Sequence, residues 1–256
     1  MPRNVKPLPS RPDKPQESRG SSLHHSSLIP WQFDSEVTAV FDDMLNRSIP
    51  QYQLMRQLVF DTGRAFVRPN THIIDLGCSR GEALAPFVNA FGNNNHYLGV
   101  EVSKPMLEAA RERFAAHELA SFVEIHELDL CESYPHAPAS LTLCILTLQF
   151  LPPQCRLKVL QSAFSEMLPG GAVILVEKVR GASDALDQMM VDRYHLFKQE
   201  QGYSKEAIER KRQGLEGVLV PLTAAENEQL LHDAGFTQVD SFWRWLNFSG
   251  WIAVKE

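Results

Sequence analysis

The amino-acid sequence predicts an α/β fold with a mainly parallel, doubly wound sheet and a C-terminal antiparallel hairpin. Strand and helix patterns alternate from residue 72 to residue 177, and parallel strands need such helical crossovers. A glycine-containing turn joins the first predicted strand directly to a helix. Two further strand-like runs near the C-terminus are separated by a short turn, which predicts a hairpin at the edge of the sheet.

Composition limits the classes of function. The chain has 256 residues, of which 44% are hydrophobic and 22% are charged, which suffices for one sizeable core. The formal net charge of -6 is the wrong sign for binding phosphate backbones, so the folded domain is not expected to bind nucleic acid directly. No apolar run approaches the roughly 18 residues that span a bilayer. We therefore expect a cytoplasmic protein with no membrane contact.

The chain divides near residue 30. Residues 1–30 contain six of the sixteen prolines and six serines, and carry a charge of +3 that leaves the remainder at -9. Such a segment buries too little apolar surface to offset its ordering entropy, so we predict a disordered tail. Residues 31–256 are predicted to form the folded domain, with an N-terminal helical cover at 31–70 and a helical insertion at 180–217.

Apolar spacing predicts the elements of the folded domain in order. Within the cover, apolar residues spaced i, i+3, i+4 and i+7 predict an amphipathic helix over 36–46, closed by Pro50, and a second helix follows over 52–66. Predicted strands then alternate with predicted helices. The strands cover 72–76, 96–101, 122–128, 141–148 and 172–177, the helices 82–91, 105–117 and 155–168, a turn 169–171, and the hairpin strands 236–243 and 249–254, joined through 247–248.

A candidate ligand loop follows the first predicted strand, which ends at Asp75. Gly77 and Gly81 permit close backbone approach and φ angles that a side chain would disfavour. In a doubly wound sheet, ligands bind at the carboxyl ends of the strands. The loop lacks the triphosphate-binding pattern G-x-x-x-x-G-K-[ST], and Asp75 would repel a pyrophosphate, so the loop suits a cationic ligand head.

Two further acids follow neighbouring strands. Glu101 ends the second predicted strand, where its two oxygens could accept both hydroxyls of a ribose. Asp129 follows the third strand and could reach the edge of an adenine. Each feature alone has a plain alternative: the glycine pair as a simple turn, the acids as helix caps or solvated charges. Together, at the expected positions, they favour a nucleoside pocket.

These motifs resemble two nested groups of proteins. The segments Asp75-Leu76-Gly77-Cys78-Ser79-x-Gly81 and Leu168-Pro169-Gly170-Gly171 resemble the class I S-adenosylmethionine-dependent methyltransferases, which have a Rossmann-like fold. More specific segments resemble the carboxy-S-adenosylmethionine synthase family from about Trp31 to the C-terminus. Those segments are Phe41-Asp42-Asp43-Met44, Arg47-Ser48-Ile49-Pro50-x-Tyr52, Thr147-Leu148-Gln149-Phe150-Leu151, Gly202-Tyr203-Ser204 and Lys211-Arg212.

This resemblance implies an enzyme that takes S-adenosylmethionine (SAM) and prephenate, releases phenylpyruvate and places the liberated CO2 on the sulfonium methyl. The product, carboxy-SAM, would serve a second enzyme that modifies the wobble uridine of tRNA. The ligand is therefore expected to be SAM or carboxy-SAM, and the chain is expected to form a homodimer, because in the family an arginine reaches the ligand of a neighbouring subunit.

The resemblance also assigns expected roles to individual residues. Tyr52 and Arg212 are the candidate catalytic residues: Tyr52 would contact the methionine portion, and Arg212 would hold the extra carboxylate. A guanidinium offers a planar fork to a carboxylate, although the run 209–212 also suits a solvated helical face. The other expected ligand contacts are Asp75, Gly77, Cys78, Ser79 and Gly81 in the loop, Glu101 at the ribose, Asp129 and Leu130 at the adenine, and Val102 and Ile145.

Three positions depart from the family. Glu101-Val102 replaces an Asp-Asn pair, and Ile145 replaces an asparagine, which removes an amide from the pocket floor. An ordinary SAM-dependent methyltransferase acting on an unidentified small molecule therefore remains an alternative, as does a non-catalytic SAM-binding module. His195 is open to interpretation as a base or as a packing residue, whereas Met189, Met190 and Tyr194 are interpreted as core or lid packing. No metal site is predicted.

Overall fold

A computed structural model describes residues 31–256, so the predicted tail at 1–30 lies outside the described residues. Within that range the strands are β1 (His72–Leu76), β2 (His96–Glu101), β3 (Val123–Glu127), β4 (Ala139–Ile145), β5 (Met167–Arg180), β6 (Leu222–Thr223), β7 (Gln238–Trp245) and β8 (Phe248–Val254). They form an eight-stranded sheet with the order β3-β2-β1-β4-β5-β8-β7, and β6 pairs with β5. Strands β1 to β5 pair in parallel, whereas β8 pairs antiparallel with both β5 and β7.

This topology confirms the predicted doubly wound sheet and its C-terminal antiparallel hairpin. Helices cover both faces of the sheet. They are α1 (Ser35–Ala39), α2 (Phe41–Ser48), α3 (Tyr52–Gly63), α4 (Ala85–Phe91), α5 (Lys104–Ala115), α6 (Pro153–Glu166), α7 (Asp184–Glu200), α8 (Lys205–Gly214) and α9 (Ala224–Asp233). Among the described helices, none is long and apolar enough to cross a membrane.

Alternation along the central strands divides the apolar core into two layers. In β1, Ile73 packs with Met55 of α3 and Phe87 of α4, whereas the next residue, Ile74, packs with α6 and α9. Successive side chains of a strand point to opposite faces, so a strand covered on both sides must be apolar at nearly every position. This explains why β5 has a continuous apolar run at 172–176 and why β1 and β4 are mostly apolar.

The single helix predicted over 36–46 is wrong in one respect, because the structure breaks it into α1 and α2 at Val40. The backbone at Val40 leaves the helical region, with φ -109° and ψ 13°. The side chain of Asp34 caps α1 by accepting a hydrogen bond from the Val37 N–H at 2.9 Å. Three β-branched residues in this short stretch, Val37, Thr38 and Val40, weaken the helix.

Other element ends also differ from the prediction. Strand β4 ends at Ile145, and the predicted end of that strand, Leu148, begins a short 3-10 helix, Leu148–Phe150. The predicted turn at 169–171 lies inside β5, where the pairing shifts register and Gly170 takes a φ of +77°. The hairpin turn lies one residue earlier than predicted, since Phe248 already belongs to β8.

Glu177, near the end of β5, holds the 3-10 helix that follows β4. Its Oε1 accepts hydrogen bonds from the N–H groups of Thr147 at 3.1 Å and Leu148 at 2.9 Å, and its Oε2 accepts one from Gln149 at 2.7 Å. The carboxyl group thereby satisfies three N–H groups that have no carbonyl partner at a helix start. Arg156, only 2% exposed, lies close enough to lower the pKa of Glu177, which burial raises.

Replacement of Glu177 should destabilise the fold. Glu177→Ala leaves three buried N–H groups without an acceptor, so the free energy of unfolding should fall by about 3 kcal/mol or more, and Glu177→Gln, which keeps one acceptor, should lose less. Urea denaturation followed by circular dichroism measures both. The control is Glu112→Gln on the exposed face of α5, and equal midpoints for all three variants would contradict the assignment.

Candidate functional site

A cavity of about 580 Å³ lies at the carboxyl ends of the parallel strands, where doubly wound sheets bind ligands. Helices α2 and α3 of the N-terminal cover close one side, and α7 and α8 close another. The lining residues of interest are Trp31, Tyr52, Arg56, Asp75, Gly77, Cys78, Ser79, Glu101, Val102, Leu130, Ile145, Lys178, Tyr194, His195, Lys198, Lys211 and Arg212. Most of the sequence-predicted site residues therefore meet in one cavity.

The loop after β1 requires glycine at position 77. Gly77 has a φ of +71°, and a Cβ built there would lie 2.6 Å from the side chain of Thr147. The N–H groups of Gly77 and Cys78 both donate to the carbonyl of Val100, each at 2.9 Å. This arrangement folds the loop back over the end of β2 and exposes the backbone of residues 77–79 to the cavity.

Gly81 lies against α5 and does not form part of the cavity wall. Its φ is +80°, and a Cβ at this position would lie 2.5 Å from the ring of Phe114 in α5. Gly81 is not among the residues that line the cavity. The structure therefore places this residue in the packing of the loop against α5, and its predicted contact with the ligand stays a prediction.

Glu101 joins the loop to the end of β2. Its Oε2 accepts a hydrogen bond from the Ser79 N–H at 3.0 Å, and its Oε1 accepts from Val102 at 2.8 Å and Ser103 at 2.9 Å. Burial raises the pKa of Glu101, while the three N–H groups act in the opposite direction. A carboxylate has about four acceptor sites, so one site stays available for a ribose hydroxyl.

Two buried atoms of opposite charge lack partners on the floor of the cavity. Within residues 31–256, neither Oδ2 of Asp75 nor Nη2 of Arg56 has a hydrogen-bond partner. Asp75 is 1% exposed, and burial raises its pKa to about 7 although the nearby Arg56 lowers it. Sequence reasoning missed Arg56. Its position, one helical turn after Tyr52 in α3, is the signal that could have revealed it.

The adenine side of the predicted pocket is only partly assembled. Leu130 is buried and lines the cavity. Asp129 is exposed and does not line the cavity, and its Oδ1 accepts a hydrogen bond from the Cys131 N–H at 2.8 Å. Val102 lines the cavity with 58% of its surface exposed. An apolar wall is therefore present, and the adenine contact of Asp129 stays a prediction.

Tyr52 and Ile145 both line the cavity. Tyr52 is buried, and this burial raises the pKa of its hydroxyl. The guanidinium carbon of Arg56 lies 5.9 Å from the centroid of the Tyr52 ring. Ile145, at the end of β4, offers the cavity an apolar side chain where an asparagine would offer an amide.

Arg212 is both an exposed residue on a helical face and part of the cavity lining, the two interpretations that the sequence left open. Its side chain is 49% exposed, and it makes a two-pronged contact with Glu209 one turn away, with Nε and Nη2 at 2.9 and 2.8 Å from the carboxylate. The same residue lines the cavity. Arg212 is thus a helical surface residue that stands at the rim of the site.

Helix α7 corrects one packing prediction and confirms another. Tyr194 is 8% exposed, and its hydroxyl donates to the carbonyl of Ser48 at 2.8 Å. Met189, predicted to pack in the core or a lid, is instead 49% exposed. It lies on the outer face of α7, because the helix turns its inner face, with Tyr194 and Lys198, towards the cavity.

Comparison with known proteins agrees with this geometry. A family model described as a methyltransferase domain matches residues 73–171. An O-methyltransferase family protein from Burkholderia thailandensis has a similar structure, with a TM-score of 0.62 and 18% identity over 87% of this chain and 60% of that one. This likeness confirms the predicted methyltransferase fold.

Two relatives are much closer in sequence. The carboxy-S-adenosyl-L-methionine synthase of Methylococcus capsulatus is 40% identical over 90% of this chain and 96% of its own length. The enzyme of the same name from Wolinella succinogenes is 38% identical over 88% of this chain and 93% of its own. Because these identities extend over nearly the whole of both chains, the protein belongs to the carboxy-S-adenosyl-L-methionine synthase family.

Proposed function

We propose that this protein converts SAM and prephenate to carboxy-SAM and phenylpyruvate. In the balanced reaction, prephenate loses CO2 and hydroxide from its ring. The sulfonium methyl group loses one proton, which makes water with that hydroxide, and its carbon forms a bond to the CO2. The observation that carries the proposal is that one cavity joins an acidic nucleoside side, Asp75 and Glu101, to a cationic side that includes Lys178, Lys198 and Lys211. The names of the family relatives support the same reaction.

The unpaired atoms on the cavity floor fit the amino-acid end of SAM. Oδ2 of Asp75 would accept from the ligand ammonium, and Nη2 of Arg56 would donate to the ligand carboxylate. Tyr52 lies beside Arg56 and would contact the same methionine portion. The backbone at 77–79 would lie along the ligand, and Glu101 would accept from the ribose. The apolar wall at Leu130 and Val102 would pack on the adenine, with Asp129 at its edge.

The proposed domain organisation follows from what lines the cavity. Residues 31–256 would act as one SAM-binding domain in which the cover at 31–70 and the insertion at 180–217 both contribute walls, through residues such as Tyr52 and Lys198. The product would diffuse to a second, tRNA-modifying enzyme in the cytoplasm. The net charge of -6 supports a role without direct binding of tRNA.

We also propose a homodimer in which Arg212 serves the site of the neighbouring subunit. Arg212 stands half exposed at the cavity rim, where it could reach across an interface. Helix α7 exposes Leu186, Met189 and Leu196 at about half of their surface, and their spacing places them on one helical face. This apolar face supports a contact between two copies of the chain.

The reaction itself is the first test. The full chain, incubated with SAM and prephenate, should yield carboxy-SAM and phenylpyruvate in equal amounts by mass spectrometry. Ile145→Asn, which restores an amide donor at the pocket floor, should keep or raise the rate. If both proteins bind SAM and neither forms carboxy-SAM, the ordinary methyltransferase replaces this proposal. If neither protein binds SAM, the assignment of the cavity as a SAM site is wrong.

Binding of SAM should depend on pH through Asp75. The ligand ammonium pairs with the ionised carboxylate, and the pKa of Asp75 in the free protein is raised to about 7. The dissociation constant should therefore rise by about tenfold per pH unit as the pH falls below 7. Asp75→Asn should bind SAM more weakly at pH 8 and show a flatter profile by calorimetry. The exposed control Asp61→Asn in α3 should keep the wild-type profile, and a wild-type profile for Asp75→Asn would disprove the role.

Arg212 should distinguish the carboxylated ligand from SAM. An ammonium lacks the planar fork, so Arg212→Lys should bind carboxy-SAM about tenfold more weakly while SAM affinity stays within about twofold. The neighbouring exposed residue supplies the control Arg210→Lys, which should match wild type. Equal losses for both ligands would show a merely structural role. Light scattering on the same samples should report the mass of two chains, and a one-chain mass would assign Arg212 to its own cavity.

A further inference from the structure

We infer that Lys178, Lys198 and Lys211 form a subsite that holds the two carboxylates of a dianionic co-substrate. Lys178 lies near the end of β5, Lys198 in the last turn of α7 and Lys211 in α8, and all three line the cavity. The inference rests on the proposed function and deepens it, since it assigns a place to the molecule that donates the carboxyl group.

The three ammonium groups contact aromatic rings. Nζ of Lys178 and Nζ of Lys198 lie 5.0 and 4.5 Å from the centroid of the Tyr194 ring, and Nζ of Lys211 lies 4.8 Å from that of Trp31. Aromatic faces attract cations without neutralising them. Among the ion pairs recorded for residues 31–256, none includes these three lysines. Their charge is therefore held in place and left for a ligand.

Crowding of like charges in a buried place supports this interpretation. Burial, together with the neighbouring charges of Lys178 and Lys211, lowers the pKa of Lys198 to about 7. Burial and the charge of Lys178 together lower the pKa of Lys211 to about 8. The carboxylate of Asp187 acts in the opposite direction on Lys178 only. Such a cluster is unfavourable in the empty protein and is relieved when an anion binds.

The three lysines contact two different aromatic rings, which gives two cationic positions for two carboxylates. Lys178 and Lys198 share Tyr194, which makes one cationic position. Lys211 on Trp31 makes a second. A single carboxylate would use only one of these positions, so the arrangement favours a dicarboxylate over a monocarboxylate.

The sheet order places this subsite beside the SAM pocket. Glu101 ends β2 and Asp75 lies in β1, whereas Lys178 lies in β5, two strands beyond β1 in the order β2-β1-β4-β5. Neighbouring strands are about 4.8 Å apart, so β1 and β5 are separated by roughly 10 Å. That separation leaves the reacting methyl group between the acidic pocket and the lysines, where a carboxyl group released by the co-substrate can reach it.

Substitution of single lysines tests the subsite, with prephenate as the probe. Lys198→Gln and Lys211→Gln should each weaken prephenate binding by about tenfold or more in calorimetry on the full chain loaded with S-adenosylhomocysteine, which lacks the reacting methyl group. The KM for prephenate should rise by a similar factor, while the dissociation constant of SAM stays within about twofold. Lys198→Arg, which keeps the charge, should retain most of the affinity. The exposed Lys205, at the start of α8, gives the control Lys205→Gln, which should behave as wild type.

The outcomes separate this inference from the proposed function. Weaker prephenate binding in the lysine variants supports the subsite even if the wild-type protein makes no carboxy-SAM. An unchanged prephenate KM in both variants, with carboxy-SAM still formed, overturns the subsite and leaves the proposed function standing. Loss of SAM affinity in the variants, or no prephenate binding by the wild-type chain, also overturns the subsite.

Discussion

The carboxylate of Glu101 is the contact on which the geometry of the site depends. It accepts hydrogen bonds from Ser79 in one loop and from Val102 and Ser103 in another, so it fixes two loops to one strand end. Ser79 needs this support, because its φ of 49° lies in the left-handed region that disfavours a side chain. Gly77 avoids that penalty. The loop backbone is therefore held open before any ligand arrives.

Glu177 in β5, three strands from β2 in the sheet, fixes a neighbouring segment in the same way as Glu101. It gathers three backbone N–H groups of the segment after β4, and Thr147 in that segment donates in turn to the carbonyl of Leu76 at 2.8 Å. Thr147 also crowds the space beside Gly77. Two glutamates, one at each side of β1 and β4, thus set the positions of the loops that surround the cavity. Parallel strands bring these carboxyl ends to one edge, which makes the arrangement available.

Charged side chains that line the cavity lack some of their hydrogen-bond or ion-pair partners among residues 31–256. Among residues 31–256, Asp75 and Arg56 each keep a buried atom without a hydrogen-bond partner, and the lysines contact rings rather than carboxylates. Buried polar groups without partners cost free energy in the empty protein. A ligand that carries the complementary charges supplies the missing hydrogen bonds and ion pairs and therefore binds more tightly. The cavity thus favours a zwitterionic sulfonium compound beside a dianion.

The sequence by itself determined the parallel sheet, the glycine loop and the acids at the strand ends. These are local signals: the period of apolar residues, the turn residues and the position of a charge just after a strand. The break at Val40, the outward turn of Asp129 and the place of Arg212 at the cavity rim needed the tertiary structure. The convergence of Arg56 with Asp75, and of three lysines from β5, α7 and α8, also appeared only there. Long-range contacts between distant segments depend on how elements pack, and no short stretch of sequence encodes that packing.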